Sequence, residues 1–428
     1  MNTNRILALF AMMAFGTVQA LPAQTVTNQL ISQAEDCDAK ACDAVEADCG
    51  CEKGNCCCFA WGTDWSINVG AGIRTSYNAH DSGNPGNGAA IQDFNLNNAR
   101  IYLNGQGHDR IGFEFNTDIN NAQGFQDNHN GSPFGTTELG EMRVLDAVLK
   151  FDMGCNAHIW FGRFLPPSDR SNLSGPFYLN AWNFPFVQLG YNNIFQGRDD
   201  GVALWGERGG GRFKWSVGLF DGENLGGRDV AGQPGVDNLE VAARVTLNLL
   251  DPEPGYYNSS TYYGEKDILA IGLAVQHRSA ALATSDSTNW NVDVLFEKAL
   301  GNCGVLTLEG AYYEYNDNFG SAPSGGPVLN PVTGGTRQGD SHFLLASYLL
   351  PREVCLAGYP GKWQVMARYQ EYNHDAGVPV AEQWDLQLNY IMFGHDARLS
   401  AVWSELDTTS GSAGSLSNTF TLGAQVQF

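Results

Sequence analysis

Trp65-Ser66-Ile67-Asn68-Val69-Gly70-Ala71-Gly72-Ile73-Arg74-Thr75-Ser76-Tyr77 decides the fold. Apart from Thr75, apolar or aromatic residues hold the odd positions, and polar or small ones hold the even positions. A period of two puts one kind of residue on each face of an extended chain, so this stretch reads as a strand with one apolar face. The texture recurs to the C-terminus. Ile111, Phe113 and Phe115 alternate with Gly112, Glu114 and Asn116; Trp290, Val292, Val294 and Phe296 oppose Asn291, Asp293 and Glu297. Trp384, Leu386, Leu388 and Tyr390 oppose Gln383, Asp385, Gln387 and Asn389. Segments of this kind number about 16, each of about ten residues, the length that a tilted membrane strand needs.

The polar face carries Arg74, Arg100, Glu114, Asp118, Lys214, Glu240, Arg244, Asp293, Glu297, Arg368 and Asp385. These side chains are too charged for a dry core. The apolar face ends in Trp, Tyr and Phe, as an aromatic girdle does. The sheet therefore reads as inverted, apolar outward to lipid and polar inward to water. The expected fold is all-β, a transmembrane antiparallel barrel over residues 64–428, with the charged residues lining its lumen. A large soluble β-sandwich also alternates, and any single strand fits it equally well.

The two ends of the chain agree with a membrane barrel. Arg5, the apolar run Ile6 to Phe15 and the small-residue site Val18-Gln19-Ala20 have the layout of a secretory signal over 1–20. Residues 21–63 form a polar, cysteine-rich segment expected in the periplasm. No later segment approaches the ~20 continuous apolar residues of a membrane helix, which leaves the closed barrel as the spanning solution. The formal net charge of −22 and the absence of a basic run argue against nucleic acid as a partner.

Connections from the first strand mostly alternate long and short, as outer loops and periplasmic turns do. Asn78–Gln92, Asn120–Gly140, Leu165–Gly197 and Asp221–Asn238 are long; Gly105–Asp109, Asp152–Asn156 and Gly206–Gly211 are short. Two connections break the order: Asp251–Lys266 and Pro351–Lys362 are long where short turns are due.

Phe428 closes an alternating strand from Thr419, which resembles the C-terminal strand of bacterial outer-membrane proteins. Asp93 to Leu103 followed by Ile111 to Asp118, Ile159 to Pro167, Gly201 to Gly206 and Trp215 to Gly222 resemble porins of the phosphate-selective O/P family. The resemblance covers Trp65 to Phe428 with loose motifs. It implies a 16-stranded porin, usually a homotrimer in the outer membrane, with a loop folded into the lumen. The chain departs from that family in charge, with 24 Lys plus Arg against 46 Asp plus Glu, so phosphate selectivity is not carried over.

The longest connection, Leu165 to Gly197, is the candidate constriction loop, rich in Pro and aromatic residues. Inserted, it would bring Asp169, Arg170, Arg198, Asp199 and Asp200 to the narrowest point. Folded over the outside, the same charges would be solvated. Cys37, Cys42, Cys49, Cys51, Cys56, Cys57 and Cys58 precede the barrel. Cys155, Cys303 and Cys355 fall in connections assigned to the periplasmic side. Ten is even and the compartment oxidising, so all ten are disulfide candidates; a metal site and a plain reduced linker are the competitors. There is no G-x-S-x-G, H-E-x-x-H or P-loop, and neither a metal site nor an enzyme is expected.

The leading expectation is an outer-membrane pore, surrounded by lipid, that passes small hydrophilic solutes or ions without cofactor or energy source. The alternatives are a structural or adhesive barrel with a plugged lumen, and a secreted soluble β-rich hydrolase.

Overall fold

In the computed structural model, the residues described are 65–81, 91–107, 110–119, 142–188, 197–221, 239–278, 286–316, 338–375, 380–409 and 415–428. The signal sequence and the cysteine-rich segment lie outside them.

Sixteen strands close into one antiparallel barrel in sequence order. They are β1 (Trp65–His80), β2 (Ile91–Gly107), β3 (Ile111–Ile119), β4 (Met142–Asp152), β5 (Ala157–Phe164), β6 (Asp199–Arg208), β7 (Phe213–Phe220) and β8 (Glu240–Asn248). There follow β9 (Ile268–Arg278), β10 (Ser287–Ala299), β11 (Val305–Asn316), β12 (Gln338–Leu356), β13 (Tyr359–His374), β14 (Val380–Ile391), β15 (Ala397–Thr409) and β16 (Ser415–Gln427). β1 pairs β16 from Gly72↔Gln427 to His80↔Thr419, which leaves no sheet edge open.

The alternation of the sequence becomes two faces. Val69 (68 % exposed), Ile73, Phe94, Phe161, Leu344, Leu386 and Val426 point outward and stay exposed. Residues alternating with them point inward, and Arg74, Trp160, Asp385 and Gln425 among these are buried. Aromatic pairs belt the outside, with Trp290–Tyr312 and Tyr369–Trp384 ring centroids 5.6 and 4.9 Å apart. A surface of this kind is stable only against hydrocarbon, so the barrel spans a membrane.

Both irregular connections now have an explanation. β12 and β13 run on past Leu349 and Lys362 as an exposed two-stranded ribbon, with a register shift between Leu349 and Glu353, and turn at Ala357–Gly358. The Asp251–Lys266 connection does not hang outside. It folds back into the lumen.

Candidate functional site: the filled lumen

Leu165 leaves β5 and the chain turns inward. A short helix, α1 (Arg170–Tyr178), forms because Asp169 caps it: the Asp169 carboxylate accepts from the Ser171 and Asn172 amides at 3.2 Å each. Gly175 (φ +68) and Pro176 break its regularity one turn before the end.

From α1 the segment makes a circuit of the inner wall, tied at each step. Arg244 donates to Ser168 O (2.9 Å) and Tyr313 to the Asp169 carboxylate (2.6 Å). On the far side Gln425 donates to Phe177 O (2.9 Å), and Arg398 donates to Leu179, Asn180 and Ala181 carbonyls. Arg74 donates to Trp182 O, and its guanidinium lies 4.1 Å from the Trp182 ring. Gln387 accepts from Trp182 N, Arg368 donates to Asn183 O, and Tyr315 donates to Val187 O. The wall is shaped to this path. A Cβ on Gly72 would come within 2.8 Å of Phe177, and one on Gly423 within 2.5 Å of Trp182.

The second filling segment enters from the opposite end, from the connection between β8 and β9. Glu297 of β10 anchors it by accepting from Thr261 Oγ1 (2.7 Å) and from the Tyr262 and Gly264 amides (3.0 and 2.8 Å). Lys214 donates to Tyr257 O. The two segments meet: Ser260 N donates to Tyr178 O (3.1 Å), and Arg170 makes two bonds to Glu253, at 2.8 and 2.6 Å. Tyr262 also donates to Glu253 (2.6 Å). His395, in the turn between β14 and β15, closes the lower end between the Tyr178 and Tyr263 rings, 4.8 and 4.9 Å away.

Part of this seat is apolar. Val148, Trp160, Phe164, Ala203, Trp205, Phe220 and Ala242 point inward and form one buried cluster with Leu165, Leu173 and Tyr256 of the two segments. The expectation of a polar lumen face therefore fails on β5 and β6 and at Val148 and Phe220 beside them, where the inward residues are apolar and pack the filling segments instead of meeting water.

The remaining wall, on β2–β4, is polar. Arg100 pairs with Asp118 (2.7 Å), and Asn98 joins Asp118 to Arg74. Arg198, just before β6, reaches across to Asp146 at 3.0 Å. Below them Lys150 pairs with Glu114 at 2.5 Å and lies over the Trp160 ring. Exposure falls steadily up this wall, from 43 % at Asp152 through 28 % at Lys150 to 2 % at Asp146. Solvent exposure on this wall is therefore greatest at the turn side and is lost at the Arg198–Asp146 pair.

The residues expected at the narrowest point separate. Asp169, Arg170, Arg198 and Asp199 lie inside and are buried. Asp200 does not. It points outward, where Arg163 holds it with two 2.8 Å bonds, because consecutive strand residues face opposite sides. Arg74, Arg100, Glu114, Asp118, Lys214, Arg244, Asp293 and Glu297 all point inward, as the alternation predicts. Most meet protein in place of water: Arg244 and Asp293 pair at 2.6 Å under α1, and Glu297 holds the inner segment. Sequence reasoning missed Glu253, Tyr256, Ser260, His395 and Arg398. Glu253 had a signal, since it stands between Pro252 and Pro254 in a connection too long for its place.

No family model and no curated protein matches the sequence. Solved structures do match by fold. The outer-membrane channel DcaP of Acinetobacter baumannii superposes with a TM-score of 0.52 at 14 % identity, covering 86 % of this chain and 100 % of that one. An anion-selective porin from Comamonas acidovorans gives 0.51 at 14 %, covering 85 % and 100 %. OprB of Pseudomonas putida gives 0.53 at 12 %, covering 85 % and 94 %. The fold is that of an outer-membrane porin barrel.

Proposed function

We propose that the protein is an outer-membrane channel that passes small hydrophilic solutes or ions by diffusion past the charged β2–β4 wall. The observation that supports this is the division of the lumen. Hydrogen bonds tie the filling segments to β7–β16 and β1, while Arg100, Asp118, Asp146 and Lys150 stand on the β2–β4 wall, where exposure rises from 2 % at Asp146 to 28 % at Lys150. Charges at a constriction select ions by direct Coulomb interaction. Here Arg100 faces Asp118 and Arg198 faces Asp146, so neither offers the uncompensated positive charge that a phosphate-selecting pore needs. A homotrimer, implied by the family resemblance, belongs to the same reading; a monomeric mass in mild detergent would remove it.

Single-channel recording of refolded protein in a planar bilayer under a salt gradient tests the proposal. Small, stepwise conductance is expected, and the reversal potential reports the ion preference.

A second reading has its own support. Arg198 (6 % exposed) and Asp146 (2 %) are buried inside the barrel, which suits a barrel plugged for a structural or adhesive role. Absence of conductance from inserted, heat-modifiable protein would favour it.

A further inference from the structure

Glu114, Asn116 and Asp146 on the wall and Tyr257 on the inner segment are held so that two of their polar atoms bond nothing in the protein. The arrangement begins in the backbone of β3 and β4. Their pairing shifts after Asn116: Asn116 faces Asp146, Thr117 faces Val144, and Leu145 is the extra residue. A bulge of this kind re-aims the side chains beside it. Leu145 is fully buried, and Asn116 and Asp146 stand side by side in the lumen at 4 % and 2 % exposure.

Asn116 bridges two carboxylates. Its Nδ2 donates to Glu114 Oε1 at 2.6 Å and to Asp146 Oδ2 at 3.0 Å, which uses both amide hydrogens. These bonds also fix which way the amide faces, because the reverse orientation would set its oxygen against two anions. Asn116 Oδ1 is thus held in place, buried, and accepts no hydrogen bond within the protein. Tyr257 supplies the second such atom. Lys214 holds its carbonyl, and its ring lies 5.6 Å from Trp160 and 5.2 Å from Tyr256. Its hydroxyl is buried without a partner, in the field of Glu114, Asp146 and Arg198. Buried polar atoms are almost always bonded, so two orphans beside the same carboxylates mark a place that something outside the protein completes.

Unused bonding capacity decides what that is. An amide oxygen only accepts, a phenol accepts as well as donates, and the carboxylates keep lone pairs beyond the bonds they receive. The nearby cations are already engaged, Lys150 by Glu114 and Arg198 by Asp146. We propose that Asn116 Oδ1 and the Tyr257 hydroxyl, flanked by Glu114 and Asp146, form a subsite for a small monovalent cation of the alkali class. Oxygen ligands suit hard cations. Glu114 and Lys150 are 11 % and 28 % exposed, so the carboxylate side of the subsite meets water. Lys150 and Arg198 balance the two carboxylates, so the ion is held loosely, as a permeation site requires. The subsite rests on the reading of the protein as a channel, and it names the ions that the wall favours.

The test is single-channel recording under a potassium chloride gradient. The parent is expected to prefer K+ over Cl−. Tyr257→Phe removes only a hydroxyl that bonds nothing in the protein, and Asn116→Leu removes the orphan oxygen with its amide. Each should lower the K+/Cl− permeability ratio by about two- to tenfold, the worth of one hydrogen bond. If Asn116→Leu gives no heat-modifiable barrel, Tyr257→Phe alone decides. An anion preference in the parent, or an unchanged ratio in Tyr257→Phe, would overturn the subsite and leave the channel standing. Inserted protein that does not conduct would remove the channel instead, and the subsite is then judged by heat-modifiability. The band should shift at a higher temperature in potassium chloride than in N-methylglucamine chloride of equal ionic strength, and Tyr257→Phe should lose that difference. Equal temperatures for the parent in the two salts would overturn it.

Discussion

Arg170, on the segment that enters the barrel from its outer end, and Glu253, on the segment that enters from its inner end, meet in a two-bonded ion pair of which each side chain is 1 % exposed. The pair makes two insertions from opposite sides of a membrane into one packed body.

Breaking one partner is therefore the first test of the filling. Glu253→Ala leaves a buried guanidinium without its counter-charge, and losses of this kind cost about 3–5 kcal/mol. The expected result is a larger single-channel conductance and more frequent open events than in the parent. Arg170→Met with Glu253→Leu removes both charges, and such replacements are often neutral or stabilising. That double variant should conduct closer to the parent than Glu253→Ala does. Equal conductance in all three would show that the pair does not hold the lumen.

The far anchor predicts a second effect. Trp182 is fully buried against Gly423 and Arg74. Trp182→Ala removes the ring and leaves space, at about 3–5 kcal/mol for a buried Trp. Gly423→Leu attacks from the wall, since no side chain fits within 2.5 Å of that ring. Both variants should release the segment and raise conductance, while the heat-modifiable barrel band persists. A barrel that no longer inserts in either case would mean that the segment is needed for folding.

These anchors show which parts of the molecule were legible in the sequence. Period-two alternation depends only on the pleat, so the order of residues alone assigns Ile73 and Arg74 to opposite faces. The terminal strand to Phe428 was readable in the same way, whereas the inward loop from Leu165 was expected from its length and its Pro and aromatic content. What a lumen residue touches was not readable. Arg398 binds three carbonyls of a segment more than 200 positions away, and nothing local to β15 announces this. Trp160 and Trp205 face inward with Phe161 and Leu204 facing out, and without knowledge of the filling there was no reason to give these strands two apolar faces. Asp200 was misplaced through its neighbour: Asp199 is inside, and the next residue on a strand cannot be.

The outward position of Asp200 makes a discriminating prediction. The Arg163–Asp200 pair is on the outer surface, 29 % and 50 % exposed, and exposed pairs contribute about 0–1 kcal/mol. Asp200→Asn should leave conductance and reversal potential unchanged. Arg198→Ala, inside the barrel, leaves Asp146 without this partner and should move the reversal potential toward cation preference. Asp146→Asn should move it the other way. A shift caused by Asp200→Asn of the same size would return that residue to the pore.

Acid should loosen the inner end of the filling. Burial pushes the His395 imidazole down to about 4, outweighing the hydrogen bond to Thr261 O, and Arg398 lowers it further. In a released state the ring returns to its ordinary value of about 6.5. A ring that protonates more readily when released than when packed favours release as pH falls from about 6.5 to about 4. The effect levels off below about 4, where both states carry the proton. Open probability should therefore rise across that window and stay flat above about 7. His395→Phe keeps a ring between Tyr178 and Tyr263 but cannot be protonated, so its open probability should lose this dependence. An unchanged acid response in His395→Phe would assign the effect to another group.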